Sequence, residues 1–190
     1  MKTRGAAALI LTAVMFATPA LTQDMAKKAT APKPAASPSQ AVLDSWNEIG
    51  RKLIAMAEDF PEDKYDFKPT PAQRGFADRL LHVASVNYFF TNLAMGKRPP
   101  AEEDPKREQY KTKAEVVAFV KQSFADGASA IRTNGDAGMA KLVVDPDANQ
   151  QVRVSDLAYG FIEHAGEIYG QLAVYYRVAG LVPPESRPKK

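Results

Sequence analysis

Among its 190 residues the chain has no cysteine, only two histidines and a single tryptophan. Without a thiol it can form no disulfide, thiolate metal site, cysteine nucleophile or lipid-modified N-terminal cysteine. Two histidines leave little for a hydrolytic triad, and Ser123, Ser129 and Ser155 have no histidine neighbour in sequence. Long apolar runs are missing as well. The most apolar stretch, Ala6 to Ala17, is shorter than the roughly 17–25 residues that a spanning helix needs. There is no internal repeat, no glycine-rich phosphate loop and no helix-turn-helix pattern. Charge of one sign is scarce too, with 25 Lys+Arg against 22 Asp+Glu. Lys27, Lys28, Lys33, Arg187, Lys189 and Lys190 carry the excess at the two ends, so nucleic acid is not an expected partner.

What is present begins with a leader. Lys2 and Arg4 precede the uncharged run, and Ala20 and Thr22 stand at the −3 and −1 positions of a cut before Gln23. A cut after Ala20 is the alternative. Residues 1–22 are therefore expected to be a signal peptide, which makes the mature protein periplasmic or secreted, with no stable membrane anchor after cleavage. Removing them takes away two basic residues and lowers the formal charge from +3 to +1. Residues 23–39 are rich in Ala, Pro and Lys and read as an extended linker. The folded domain is expected over residues 40–187.

Four helices are expected inside it. From Gln40 to Phe60, Val42, Trp46, Ile49, Leu53, Met56 and Phe60 recur in steps of three and four, with Ser39 as N-cap and Pro61 as stop. A second helix spans about Phe76 to Met95 and ends at Gly96, with His82, Val86, Phe89 and Leu93 on one stripe. Thr112 and Glu115 have capping-box spacing and open a third, which carries Val116, Val120, Phe124 and Ile131. Its small-residue stretch Ala125 to Ala130 admits a close neighbour. Residues 133–153 are less regular, and Leu142 to Val144 reads as a short strand or an extended connection. The fourth helix is expected from Ser155, its N-cap, to just before Gly180, with Leu157, Phe161, His164, Ile168, Gln171, Tyr175 and Val178 facing inward. The expected architecture is all-α: an antiparallel four-helix bundle with long connections after helices one and three.

Both histidines fall on inward stripes, where bundles hold metals. A liganding imidazole needs a partner on its other nitrogen. Asp78 lies one turn before His82 and Glu167 three residues past His164, so each is an expected auxiliary group. The bland alternative is two hydrogen-bonded core histidines. The tyrosines of the last helix read as core residues whose hydroxyls reach the rim, Arg177 as structural, and Ala101 to Arg107 as a solvated loop.

Two runs resemble a known family. YDFKPTPAQRGFADRLLHVASVNYFF (residues 65–90) resembles the opening of DinB-like proteins, in which a Pro-rich loop leads into the helix bearing the first metal histidine. HAGEIYGQLAVYYRVAGLVPPES (residues 164–186) resembles their closing helix and its Gly-x-x-Pro-Pro exit. The resemblance implies a four-helix bundle, often dimeric, with a divalent metal held by three histidines. Matched residue by residue, His82 is the first and His164 the second, but the third falls on Ile168, which has no donor atom. The implied site is thus a degenerate two-histidine one, with Zn, Ni or Fe weakly held or absent. Glu167 could complete a two-His, one-carboxylate set only from another side of the helix.

Three functions follow. The first is an exported DinB-like domain with a lapsed site. The second is a metal-dependent transferase or hydrolase acting on a small molecule, since relatives add low-molecular-weight thiols to electrophiles. Export from the reducing cytosol and the missing ligand weigh against it. The third is a non-catalytic bundle that binds a small apolar ligand or a protein partner.

Overall fold

A computed structural model describes residues 34–98, 104–146 and 148–188. The signal-peptide segment and most of the expected linker lie outside the described residues. The bundle belongs to the compact unit Ala36–Lys190. Its helices are α1 (Pro38–Asp59), α2 (Phe76–Ala94), α3 (Lys113–Met139) and α4 (Val154–Val178). A hairpin of β1 (Leu142–Asp145) and β2 (Gln150–Arg153) joins α3 to α4, pairing Leu142 with Arg153 and Asp145 with Gln150. Among the described residues, no helix is long and apolar enough to cross a membrane.

Helix ends follow the caps. The expected capping box is present at α3: the Thr112 hydroxyl accepts from the Glu115 N–H, and the Glu115 carboxylate accepts from the Thr112 N–H. Two other caps differ from expectation. Ser37 caps α1, accepting the Gln40 N–H with Pro38 at the first helical position, so the helix starts inside the expected linker. The Ser39 N–H instead donates to Asp136. Arg153, rather than Ser155, is the N-cap residue of α4, and its N–H donates to Asp156. Helix α3 also runs further than expected, kinking at Gly135, where φ is +55°. That is a left-handed conformation that glycine adopts without steric cost.

Helix order around the bundle is α1–α3–α2–α4, with α1/α2 and α3/α4 on the diagonals. Direction follows from contacts at the ends. Phe60, after α1, stacks on Phe76 at the start of α2, with ring centroids 3.8 Å apart, and Lys113 at the start of α3 donates to the Phe60 carbonyl. At the other end, Asn134 of α3 donates to the carbonyl of Ala94, the last residue of α2. Helices α2 and α3 therefore run parallel, and both are antiparallel to α1 and α4. The connections after α1 and α3 are long, as expected, and residues 104–112, which precede α3, lie back beside the start of α2, where Asp104 meets His82 and Arg74.

Two aromatic clusters fill the interior. Trp46 packs between Phe90 and Phe124, and its indole N–H donates to the Phe124 carbonyl at 2.9 Å. Gly127 makes this possible. A Cβ there would fall 2.7 Å from Trp46 Cε2 and 2.9 Å from Cη2, well inside contact distance. At the opposite end, Phe60, Tyr65, Phe76 and Tyr176 form the second cluster. Val178 was expected to face inward but, as the last residue of α4, is 56% exposed.

The chain after α4 is tied down by charge. Arg187 donates to both oxygens of Asp59 (2.7 and 2.6 Å), and Arg51 donates to both oxygens of Glu185 (2.8 and 2.9 Å). The Arg187 guanidinium holds the Asp59 carboxyl below the usual carboxylate range, against a smaller opposing effect of burial. A carboxyl lowered on folding stabilises the fold above its unfolded value of about 3.9, and the contribution fades as pH falls through the lower folded value. Arg187→Ala is expected to lower Tm at pH 7, with the gap to wild type closing as pH falls below about 4. Thermal unfolding across that range checks it. A gap that persists at low pH would assign the role of Arg187 to the Val182 carbonyl, to which it also donates.

Candidate metal centre

His82 lies in the second turn of α2 and His164 midway along α4. Because these helices are antiparallel neighbours, the rings meet edge to face with centroids 5.1 Å apart and planes at 78°. Each ring is half-buried. His82 Nδ1 is 2.8 Å from Asp104 Oδ1, and Asp104 Oδ2 accepts from Arg74 at 2.7 Å. An ionised carboxylate only accepts, so His82 donates from Nδ1 to Asp104, and its Nε2 faces the other ring. The support continues outward: the Tyr175 hydroxyl donates to the Arg74 carbonyl at 2.6 Å, fixing the loop that presents the guanidinium.

His164 is less well provided for. Its Nε2 is buried without a hydrogen-bond partner. Glu167 Oε2 lies 3.8 Å from Nδ1, beyond hydrogen-bond length, on a side chain 63% exposed. Burial first, and then the neighbouring His82, hold the His164 imidazole below its usual value, so it is neutral at pH 7. A neutral imidazole is the form that binds metal. Ile168 stands one turn further along α4, 2% exposed and part of the core.

Asp78, the auxiliary group expected beside His82, is engaged elsewhere. Asp78 Oδ2 accepts from the Gly75 N–H at 2.9 Å, so it caps its own helix. Asp104 takes its place at the histidine. That residue sits in the run expected to be a solvated loop, and nothing local distinguishes it from Glu102 or Glu103. Only the return of the connection along α2 brings it to His82. Arg107 of the same run is not free in solvent either, donating to Asp66 of the loop before α2 and to the Tyr110 carbonyl. Tyr175 and Tyr176 are core residues, as expected, with hydroxyls that donate to the Arg74 and Met56 carbonyls, whereas Tyr159, expected in the core with them, is 51% exposed on the outer side of α4.

Set against a divalent metal, these residues fit in part. An orphaned imidazole nitrogen, a second imidazole and a carboxylate behind it match the arrangement in which an outer carboxylate orients a liganding histidine. A third protein donor is missing. Among the described residues, no group of three His, Asp or Glu side chains is placed to hold an ion. Catalytic zinc sites usually have three protein ligands plus an open position.

The fold and site define a four-helix bundle with facing histidines on its second and fourth helices. The chain belongs to the DinB superfamily, whose family model matches residues 46–172. Two solved structures have similar folds. A DinB-like protein from Bacillus cereus has a TM-score of 0.64 at 15% identity, covering 76% of this chain and 95% of that one. YfiT from Bacillus subtilis, described as a probable metal-dependent hydrolase with an unusual four-helix bundle topology, has a TM-score of 0.62 at 15% identity, covering 79% and 93%. No curated protein matches.

Proposed function

We propose that this is an exported DinB-like domain whose histidine pair binds a divalent metal weakly, and whose cleft has lapsed from three-ligand chemistry. The observation that carries this reading is the buried, unpartnered Nε2 of His164 beside His82, with Ile168 in the place of a third donor. His82 and His164 would hold the ion, and Asp104 would fix the His82 ring. Export rests on Lys2, Arg4 and the uncharged run that follows. A metal-dependent hydrolase of the kind described for YfiT is the second reading, favoured by the carboxylate of Asp104 behind His82. It requires a donor that α4 does not supply at position 168.

Calorimetric titration of the exported chain with Zn²⁺ separates the two. Intact mass should first show the loss of about 20–23 N-terminal residues. The lapsed site should then bind with a Kd of roughly 10 µM or weaker and be metal-free after dialysis. Tight binding of one ion per chain would favour the hydrolase reading, and a full-length product confined to the cytosol would remove the export claim.

A further inference from the structure

We infer that the cleft between α2 and α4 binds a small hydroxy monocarboxylate, with Arg79 taking the carboxylate and Gln171 the hydroxyl. Arg79 stands on α2 one turn before His82 and is half-buried. Its guanidinium makes no ion pair among the described residues, and its Nε is buried without an acceptor. The carboxylates nearest in the fold are committed elsewhere: Asp104 to Arg74 and His82, and Asp78 to the Gly75 N–H. A cation drawn partly out of water without a counter-ion is costly, so this arginine is suited to an anion that enters the cleft.

The facing helix supplies the second group. Gln171 lies on the inward stripe of α4, seven residues after His164, and its Oε1 is buried without a donor. Because His82 meets His164 and the helices are antiparallel, Gln171 is within about one helical turn of the level of Arg79. Helical side chains lean toward their own N-terminus. Arg79 therefore leans toward the start of α2 and Gln171 toward His164, so the two converge. Gln73, in the loop that Tyr175 holds through the Arg74 carbonyl, leaves its own Oε1 buried and unpartnered. After burial and His82, the Arg79 charge also disfavours protonated His164, which places the guanidinium near that ring. These groups define the ligand. One free guanidinium matches one negative charge, and a carboxylate takes an Nε–H and an Nη–H side by side. A phosphate dianion would need a second cation, and Arg74 is held by Asp104. The amide oxygens require a donor on the same molecule, and a hydroxyl supplies it without setting an ammonium beside Arg79.

The inference does not depend on an ion at the histidines, and its test is run in EDTA. Lactate, propionate and inorganic phosphate are titrated into the full chain, followed by calorimetry and by the Arg79 Nε–H resonance. Lactate should bind one per chain with a Kd of about 1 mM or below and shift that resonance. Propionate lacks the hydroxyl and should bind about tenfold more weakly, with phosphate no better. Arg79→Gln should weaken lactate at least tenfold, and Gln171→Leu should bring lactate down to the level of propionate. Unchanged circular dichroism would show that the variants fold, and the wild-type resonance locates the anion without them. If lactate does not bind, or binds without moving the Arg79 signal, the proposal falls and water alone meets the orphaned groups. Equal affinity for lactate and propionate, or tighter binding of phosphate, would overturn the ligand class. None of these outcomes bears on the Zn²⁺ titration, so the two readings fail separately.

Discussion

Gly127→Val should cost about 3 kcal/mol or more in urea unfolding, the largest effect expected of any single substitution in this bundle. The added side chain would occupy the volume now filled by the Trp46 ring, which is 1% exposed and held by its hydrogen bond to Phe124. The indole cannot retreat, because Phe90 lies against its other side with centroids 5.1 Å apart. Helices α1 and α3 must therefore separate, and separation breaks the indole hydrogen bond and opens a cavity around two phenylalanines. Gly50 provides a comparison at the same interface: a Cβ there would fall 2.7 Å from Phe124 Cδ1. The Phe124 ring is 5% exposed and lies at the edge of a cleft between α1 and α3, so it has room to shift. Gly50→Ala should accordingly cost less. Because alanine is the better helix former, an equal loss at Gly50 would mean that the Phe124 ring yields no more readily than the Trp46 indole.

Ile168→His should turn weak metal binding into stoichiometric binding, with affinity for Zn²⁺ rising by about 100-fold, or roughly 2.7 kcal/mol. Position 168 is one helical turn from His164, so the new imidazole would be offered from ordered backbone. The gain has a cost in the metal-free state. Ile168 is a core residue, and burying an imidazole there without a partner should destabilise the apo protein by about 1–3 kcal/mol. The variant should thus melt below wild type without metal and recover when Zn²⁺ is added, because an ion that binds only the folded state stabilises it. If neither protein binds Zn²⁺, the family's site does not carry over to this chain. If wild type already binds tightly, a donor other than residue 168 completes the set.

Much of the fold was legible because its signals are local. The Thr112–Glu115 box, Pro61 after α1 and Gly96 after α2 mark helix ends through backbone chemistry within a few residues. The small stretch around Gly127 signalled a close approach without naming the partner. The inward stripes were half right. His82, Val86 and Phe89 are only partly buried, while Leu80, Ala84 and Asn87 lie deeper, since α2 packs against both α3 and α4 and presents a face wider than one stripe. For the site, the facing of the two histidines could be read from their places on the inward stripes, while the expectation of a third ligand at Ile168 came only from the resemblance. Asp104 could be read from neither. Its role depends on a connection returning along α2, and that follows from the parallel course of α2 and α3, which no local pattern encodes.

That parallel course also bears on how the chain reaches its native state. Helices consecutive in sequence usually form hairpins that can assemble early from local contacts. Here α1 and α2 are diagonal, as are α3 and α4, and the one consecutive pair that packs side by side is separated by a crossover. Helix α1 finds its neighbours only in α3 and α4. Loop-closure entropy must be met before those distant contacts form, so folding should be slow for a helical protein of this size. Until α4 is synthesised, α1 and α2 each lack one flank. A chain that stays open until its last helix arrives remains threadable throughout synthesis, the state that passage across a membrane in unfolded form requires.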